Sequence, residues 1–216
     1  MSSPTIHVIN PNSNRAMTQS FEAELGPLQR AGGPAFLCST LEKGPFEIAN
    51  DADIEAAAPL VAEAVSCEVN ASAFVIACYS DPGLSLARKQ TSVPVFGIGE
   101  CAVLAALSLG ERFGIISISE WSVSRHRKDM RARGLYARCA GDRPLGLSVT
   151  AVEEDPNAFK EIVSVGEKLC VEDGADVIIT ACAGMAKHRQ NLQRELGVAV
   201  IDPVFAAATL AMSAVS

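Results

Sequence analysis

The sequence predicts an α/β fold with parallel sheets, and three observations carry that expectation. Short β-branched runs alternate with amphipathic helical patterns along all 216 residues. The runs are continuously apolar, as parallel strands covered on both faces should be. Related runs also recur far apart in the chain: Phe74-Val-Ile-Ala-Cys78 resembles Ile178-Ile-Thr-Ala-Cys182 at an offset of 104 residues, and Val93-Pro-Val-Phe-Gly97 resembles Val198-Ala-Val-Ile-Asp202 at 105.

In chain order, residues 5–10 read as the first strand. A helix follows, with Met17, Phe21, Leu25 and Leu28 on one face at near-fourfold spacing. The strand 35–39 leads to a second helical stripe, Ile54, Ala58, Val61 and Val65. Next comes the strand 73–78, after which Asp81 reads as an N-cap and Pro82 as the first helical residue. The strand 93–97 leads into an Ala/Leu-rich helix over 101–109. The second half repeats the scheme, with strands at 112–118, 147–152, 176–182 and 198–201 and a stripe of Phe159, Ile162, Val163, Gly166, Leu169 and Cys170. A final helix spans 205–212. Two similar α/β lobes are therefore expected, one from residues 1–97 with 203–216 and one from 98–202. No linker rich in Pro, Gly or Ser divides them.

Composition narrows the function classes. The chain is 49% hydrophobic and 20% charged, the opposite of a disordered sequence. A net charge of −7, from 18 basic and 25 acidic residues without a basic stripe, argues against a nucleic-acid partner. Seven cysteines without a C-x-x-C pair argue against a disulfide framework and against a zinc site, so no metal is expected. The apolar run 6–9 is too short for a signal h-region, and no stretch approaches the ~20 apolar residues of a membrane helix. A soluble, cytoplasmic protein with reduced thiols, away from membranes, is the expectation.

Two of the seven cysteines stand apart. Cys38, Cys67, Cys101, Cys139 and Cys170 fall in helical patterns, at the end of a short strand or in a polar connection, and read as packing residues. Cys78 and Cys182 each end a buried strand and precede a turn into a helix, where open parallel sheets bind ligands. The Ala-Gly184-Met-Ala-Lys stretch after Cys182 has no capping side chain, leaving backbone N–H groups for an anionic ligand. A thiol beside a helix N-terminus has a lowered pKa. Two such thiols, facing each other across the lobe interface, would invert a stereocentre. One thiolate removes a proton from carbon, the other thiol delivers one to the opposite face, and a neighbouring carbonyl acidifies the carbon. No cofactor is needed.

Five stretches carry a family resemblance. Ile9-Asn10-Pro11-Asn12-Ser13, Cys78-Tyr-Ser-Asp-Pro-Gly-Leu84, Gly97-Ile-Gly-Glu-Cys-Ala102, Ala181-Cys-Ala-Gly-Met-Ala186 and Ile201-Asp-Pro-Val-Phe-Ala-Ala207 together resemble the aspartate/glutamate/hydantoin racemase superfamily. Within it the likeness is to the hydantoin and allantoin racemase branch. The resemblance implies two Rossmann-like lobes, with parallel four-stranded sheets related by pseudo-twofold symmetry, and an active site in the interlobe cleft. It implies Cys78 and Cys182 as the catalytic pair. Asn10 and Asn12 would line the pocket, and the backbone amides of Ser80, Ala183 and Gly184 would hold substrate carbonyl oxygens. Amino-acid racemases of the superfamily usually carry Cys-Asn-Thr and Cys-Thr-His at the two cysteines, and arylmalonate decarboxylases lack the first cysteine. Cys78-Tyr-Ser and Cys182-Ala-Gly depart from both patterns.

Two further departures bear on substrate. Glu47 stands where the branch commonly has Ser in Gly-Pro-x-Ser-Ile, and Ser117-Ile118-Ser119 replaces a Thr-Thr pair. Glu47, Ser117 and Ile118 are expected to face the substrate, and a carboxylate at position 47 would favour cationic or hydrogen-bond-donating substituents. The bland reading of Glu47 is a solvated loop residue.

Other signals are weak. Gly97-Ile-Gly99-Glu-Cys-Ala102 fits a dinucleotide fingerprint but lacks the first βαβ unit around it. His188 reads as an exposed helical residue. His7 and His126 share no metal-ligand spacing with carboxylates, and no lysine has the setting of a pyridoxal Schiff base. The basic run 125–133 reads as a solvated helix face, or as an anion or subunit contact.

The expected function is a cofactor-independent racemase or epimerase acting on the C5 carbon of a hydantoin-like or ureide ring. Its partner would be a small molecule with carbonyls flanking the stereocentre, and the expected assembly is a homo-oligomer. Alternatives are an aspartate/glutamate-type racemase or dicarboxylate isomerase, and a non-catalytic two-lobed ligand-binding protein.

Overall fold

The computed structural model describes residues 3–148, 151–152 and 155–215. The chain divides into two units, Met1–Cys101 with Val204–Ser216 and Ala102–Pro203. Each holds a four-stranded, all-parallel sheet flanked by helices, the α/β class that the apolar strand runs predict.

The first unit runs β1 (Thr5–Asn10), α1 (Arg15–Leu25), β2 (Ala35–Thr40), α2 (Asp51–Cys67), β3 (Ala73–Ile76), α3 (Leu84–Ala87) and β4 (Val95–Gly97), and continues into α4 (Ile98–Leu107). Its strand order is β2-β1-β3-β4. Parallel neighbours require crossover connections, and α1 and α2 provide them. The Asn14 side chain caps α1 by accepting the Ala16 N–H at 3.1 Å, and Met17, Phe21 and Leu25 form its buried face. A capping box between Asn50 and Asp53 starts α2. This helix buries Val61 and Val65 in a cluster with Ile9, Phe74 and Ile76. Pro59, inside α2, lies on its exposed side, where the missing N–H costs least.

The second unit runs β5 (Phe113–Ser117), α5 (Glu120–Ala132), β6 (Cys139–Pro144), α6 (Ala158–Val171), β7 (Val177–Thr180), α7 (Arg189–Leu196) and β8 (Ala199–Ile201). The order β6-β5-β7-β8 repeats that of the first unit. Helix α8 (Pro203–Val215) follows β8. Ile116, Ile162, Leu169, Ile178, Met185 and Leu192 anchor the core. The Asp176 carboxylate accepts the Glu111 N–H at 2.8 Å and the Arg112 N–H at 3.0 Å, tying the start of β5 to that of β7. Those amides hold its carboxyl below the usual carboxylate range.

One strand is displaced from its expected place. Residues 147–152 do not form the second strand of this unit. Leu147 and Ser148 are outside any strand, Ala151 and Val152 are helical, and Val149 and Thr150 lie outside the described residues. The strand is β6, and Cys139, expected in a polar connection, opens it. Among the described residues β6 is an edge strand, paired with β5 alone, and it ends in Pro144. Edge strands carry charged residues and proline in place of apolar runs. Arg143 of β6 reaches Asp173 at 2.7 Å and Glu172 at 2.7 Å beyond α6, so the polar side chains of β6 serve as ties. Among the described residues no helix is long and apolar enough to cross a membrane.

Two histidines are buried or half-buried with one ring nitrogen unpaired. His7 of β1 is bonded through Nε2 to Ser39 Oγ at 2.7 Å, while its buried Nδ1 has no hydrogen-bond partner among the described residues. His188 is not the exposed helical residue that sequence suggests. Its ring stacks on Phe159 with centroids 5.3 Å apart, and its buried Nε2 has no hydrogen-bond partner among the described residues. Burial pushes both imidazoles below their ordinary pKa, with Lys187 adding to the shift at His188 and Glu68 opposing it at His7. The native state therefore binds fewer protons than the unfolded chain just below about pH 6.5. Stability from these two groups is fully present above that pH and falls as pH drops through their lowered folded values. Each contributes a slope of at most about 1.4 kcal/mol per pH unit. Urea midpoints measured from pH 7.5 to 5 should fall with acidification, and His7→Gln should flatten that decline. An unchanged slope in the variant would show that His7 protonates as readily folded as unfolded.

Candidate active site

In each unit the chain leaves the central strand in one direction and returns on its other side: β1 lies between β2 and β3, and β5 between β6 and β7. Such a switch point opens a crevice at the carboxyl ends of the strands, where α/β sheets bind ligands. The sequence-predicted site residues collect at these edges.

In the first unit, Asn10 ends β1 and is fully buried. Its Nδ2 donates to the Asn14 carbonyl and to Thr18 Oγ1, both at 3.0 Å, and its Oδ1 accepts the Asn12 N–H at 3.2 Å. Asn10 thus spends its amide shaping the β1–α1 turn. Asn12 accepts the Asn14 N–H at 3.0 Å through Oδ1, and its Nδ2 makes no hydrogen bond among the described residues. The β2–α2 loop is fastened to the same turn, because Ser13 N–H donates to the Pro45 carbonyl at 2.9 Å. Glu47 lies in that loop, exposed, beside the exposed Phe46.

Cys78 lies two residues beyond β3, half-buried. Residues 78–81 form a turn, with Asp81 N–H donating to the Cys78 carbonyl at 2.9 Å, and Ser80 is half-buried within it. Asp81 does not cap the helix that follows it, as the sequence suggests. That helix, α3, is capped by Gly83 in the left-handed region at φ 72°. The Asp81 carboxylate instead accepts Gly99 N–H at 2.9 Å and Glu100 N–H at 2.8 Å at the head of α4. This explains the glycines of the apparent dinucleotide fingerprint. A Cβ on Gly97 would overlap the Asp81 carboxylate, and one on Gly99 the Tyr79 carbonyl oxygen.

In the second unit, Cys182 lies two residues beyond β7 and is buried. It precedes a 3₁₀ helix, Ala183–His188, that has no side-chain cap, with Met185 N–H bonded back to the Cys182 carbonyl at 3.0 Å. Ala183 and Gly184 open this helix, and Gly184 is buried. Ser117, at the end of β5, is wholly buried and donates to Asp142 Oδ1 at 2.5 Å. His126 Nδ1 lies 2.9 Å from Asp142 Oδ2 and 3.1 Å from Ser117 Oγ. The Ser117 hydroxyl is engaged inside the unit. Ile118 follows it, half-buried, with its carbonyl bonded to Gly146 N–H at 3.1 Å.

The Ser117–His126–Asp142 cluster has no local signature in the sequence, because its members come from β5, α5 and β6 and β6 has the composition of a loop.

Burial pushes the Cys38, Cys101 and Cys139 thiols up to about 12 and raises that of Cys170. These four stay protonated at neutral pH and are inert as bases. Among the described residues no group of three or more His, Cys, Asp or Glu side chains is placed to hold a metal ion.

Fold and edges together describe an α/β protein of two matching units with a cysteine just past the equivalent strand in each. The Asp/Glu/Hydantoin racemase family model matches residues 6–211, and the chain belongs to that family. It is a racemase, hence an isomerase. It is 37% identical to a hydantoin racemase of Paenarthrobacter aurescens over 217 residues, covering 98% of this chain and 91% of that one. It is 35% identical to a hydantoin racemase of Pseudomonas sp. (strain NS671), covering 93% of this chain and 82% of that one. An allantoin racemase structure from Klebsiella pneumoniae superimposes with a TM-score of 0.92 at 32% identity, covering 99% of this chain and 91% of that one.

Two outcomes follow from these surroundings. Cys38→Ser, Cys139→Ser and Cys170→Ser should each keep racemase turnover within about twofold of wild type, because a protonated buried thiol does no proton transfer. Asp142→Ala should lower stability by about 2–4 kcal/mol in chemical denaturation, since it removes the buried carboxylate that Ser117 Oγ and His126 Nδ1 share.

Proposed function

We propose that this racemase inverts the C5 stereocentre of a hydantoin-like or ureide ring by two-base proton transfer between Cys78 and Cys182, without a cofactor. The observation that carries the reading is the equivalence of the two cysteines, each two residues past the strand flanking its sheet's switch point. The names of the hydantoin and allantoin racemase relatives support the substrate class.

The C5 hydrogen is acidified by the adjacent ring carbonyl. One cysteine, as thiolate, takes the proton: the C–H bond breaks, an S–H bond forms, and the electron pair moves onto the carbonyl oxygen as an enolate. The other cysteine, as thiol, gives its proton to the opposite face of C5 and becomes the thiolate. After one turnover the two have exchanged roles and the enzyme is set for the other enantiomer. Stabilising the enolate is the costly part, and N–H donors aimed at its oxygen do this best. The backbone amides of Ser80, Ala183 and Gly184 are assigned that task. The uncapped start of the 183–188 helix supports this assignment. Asn12 Nδ2 is the side-chain donor assigned to the ring. Asn10 shapes the Asn12 turn, and Ser117 and Ile118 shape the β5 end of the pocket. Glu47 is assigned to the C5 substituent.

In D₂O, the wild type should racemise 5-substituted hydantoins or allantoin and place deuterium at C5 of either enantiomer. Cys78→Ser and Cys182→Ser should each lose racemisation by about 10³-fold or more, keeping exchange on opposite enantiomers. Racemisation at the wild-type rate in both variants would end the two-thiol reading. Turnover of free aspartate or glutamate with none of the cyclic substrates would replace the substrate class. Glu47→Ser should weaken the preference for cationic over anionic C5 substituents, and an unchanged substrate profile would remove Glu47 from the pocket.

A further inference from the structure

We propose that Asp81 is the positioning residue for Cys78, its carboxylate clamping the residue 78–81 turn onto the head of α4 and so setting where the thiol stands. This rests on the assignment of Cys78 as a proton-transfer group.

Four observations converge on the clamp. Asp81 is the one non-glycine among the described residues with a positive φ, at 47°. Aspartate tolerates that region better than most side chains, yet a residue held there persists only where its surroundings over-determine it, as at active sites. Both carboxylate oxygens are used, on Gly99 N–H at 2.9 Å and Glu100 N–H at 2.8 Å. These are first-turn donors of α4 that have no partner within the helix, and a negative charge there is favoured by the helix dipole. The backbone of Asp81 is tied in as well, its N–H to the Cys78 carbonyl at 2.9 Å and its carbonyl to Leu84 N–H at 3.2 Å. Finally, the surface receiving the turn is shaped to it. Gly97 and Gly99 leave no room for a Cβ against Asp81 and Tyr79.

The platform beneath is braced. Arg88 donates through Nε to the Val95 carbonyl at 3.0 Å and pairs with Glu100 at 3.2 Å, joining the residue after α3 to β4 and the first turn of α4. Cys78 thus stands three residues before a carboxylate anchored at two points on a braced helix start. Proton transfer to and from carbon is sensitive to such placement, since a shift of about 1 Å can cost about a hundredfold.

The clamp can be loosened from either side. Asp81→Ala removes the carboxylate, Gly99→Ala pushes the turn away from below, and Asp81→Asn keeps one acceptor and the tolerance for positive φ. Racemase kcat should fall about 100-fold in Asp81→Ala and Gly99→Ala and about 10-fold in Asp81→Asn, with KM within about twofold. Peptide-resolved iodoacetamide labelling of the full chain should show a changed rate at Cys78 and the wild-type rate at Cys182. A merely structural role would move both cysteines together and raise KM, and that result overturns the proposal. So do wild-type kcat and Cys78 labelling in folded Asp81→Ala and Gly99→Ala. If either variant fails to fold, Asp81→Asn is judged by the same two measurements. The labelling reads placement without substrate. It decides the clamp even if Cys78→Ser proves to racemise normally and the two-thiol reading fails.

Discussion

Strands β1 and β5 each carry hydrogen-bonded neighbours on both sides, and the two neighbours are reached by crossovers in opposite directions. That pairing is the constraint on which everything else rests. It fixes the polarity of all strands, so every carboxyl end in a unit falls at one edge. It also separates the connections that leave the central strand from those that return beside it. The turns at Asn10–Asn14, Cys78–Asp81, Ser117–Ser119 and Cys182–Gly184 are consequences of that geometry. Each follows one of the two strands that flank a switch point.

The edges are tied by side-chain hydrogen bonds where chemistry is assigned to them, and the ties differ between the two units. In the first, polar side chains reach backbone groups: Asn10 orders the β1–α1 turn, and Asp81 holds two amides of α4. In the second, a buried Ser117–His126–Asp142 cluster joins β5, α5 and β6. A buried cluster of this kind is costly unless its polar groups are paired, and Ser117 Oγ, His126 Nδ1 and both Asp142 oxygens are paired with one another. The repeated topology is therefore supported by side chains that do not repeat. The likeness between the units lies in strand order and in the placement of one cysteine each.

Most of the fold was legible because buried parallel strands advertise themselves. The strands around Ile6, Phe74, Ile115 and Ile178 are buried on both faces and predominantly apolar, and a pattern reading needs little more. The miss at residues 147–152 has the converse cause. β6 is an edge strand whose Asp142 and Arg143 are held by partners far away in sequence, so its composition reads as a loop. The same blindness hid His126, whose partners lie on β5 and β6. Asp81 was legible as a capping residue but was given to the wrong helix, since Asp-Pro-Gly before an apolar run suggests a local cap. Only the folded chain brings α4 within reach of its carboxylate.

By itself, the sequence determined the class of fold, the family, and the singling out of Cys78 and Cys182 among seven cysteines. Those properties follow from local periodicity, from a 104-residue offset and from motifs contiguous in the chain. Tertiary structure alone decided which polar groups are spent on architecture and which face outward: Asn10 and Ser117 inward, Glu47 outward, and Asp81 onto α4. The physical reason is that a hydrogen bond between residues distant in sequence leaves no periodic trace. Its donors and acceptors are brought together by the packing of apolar neighbours, which the pattern does record.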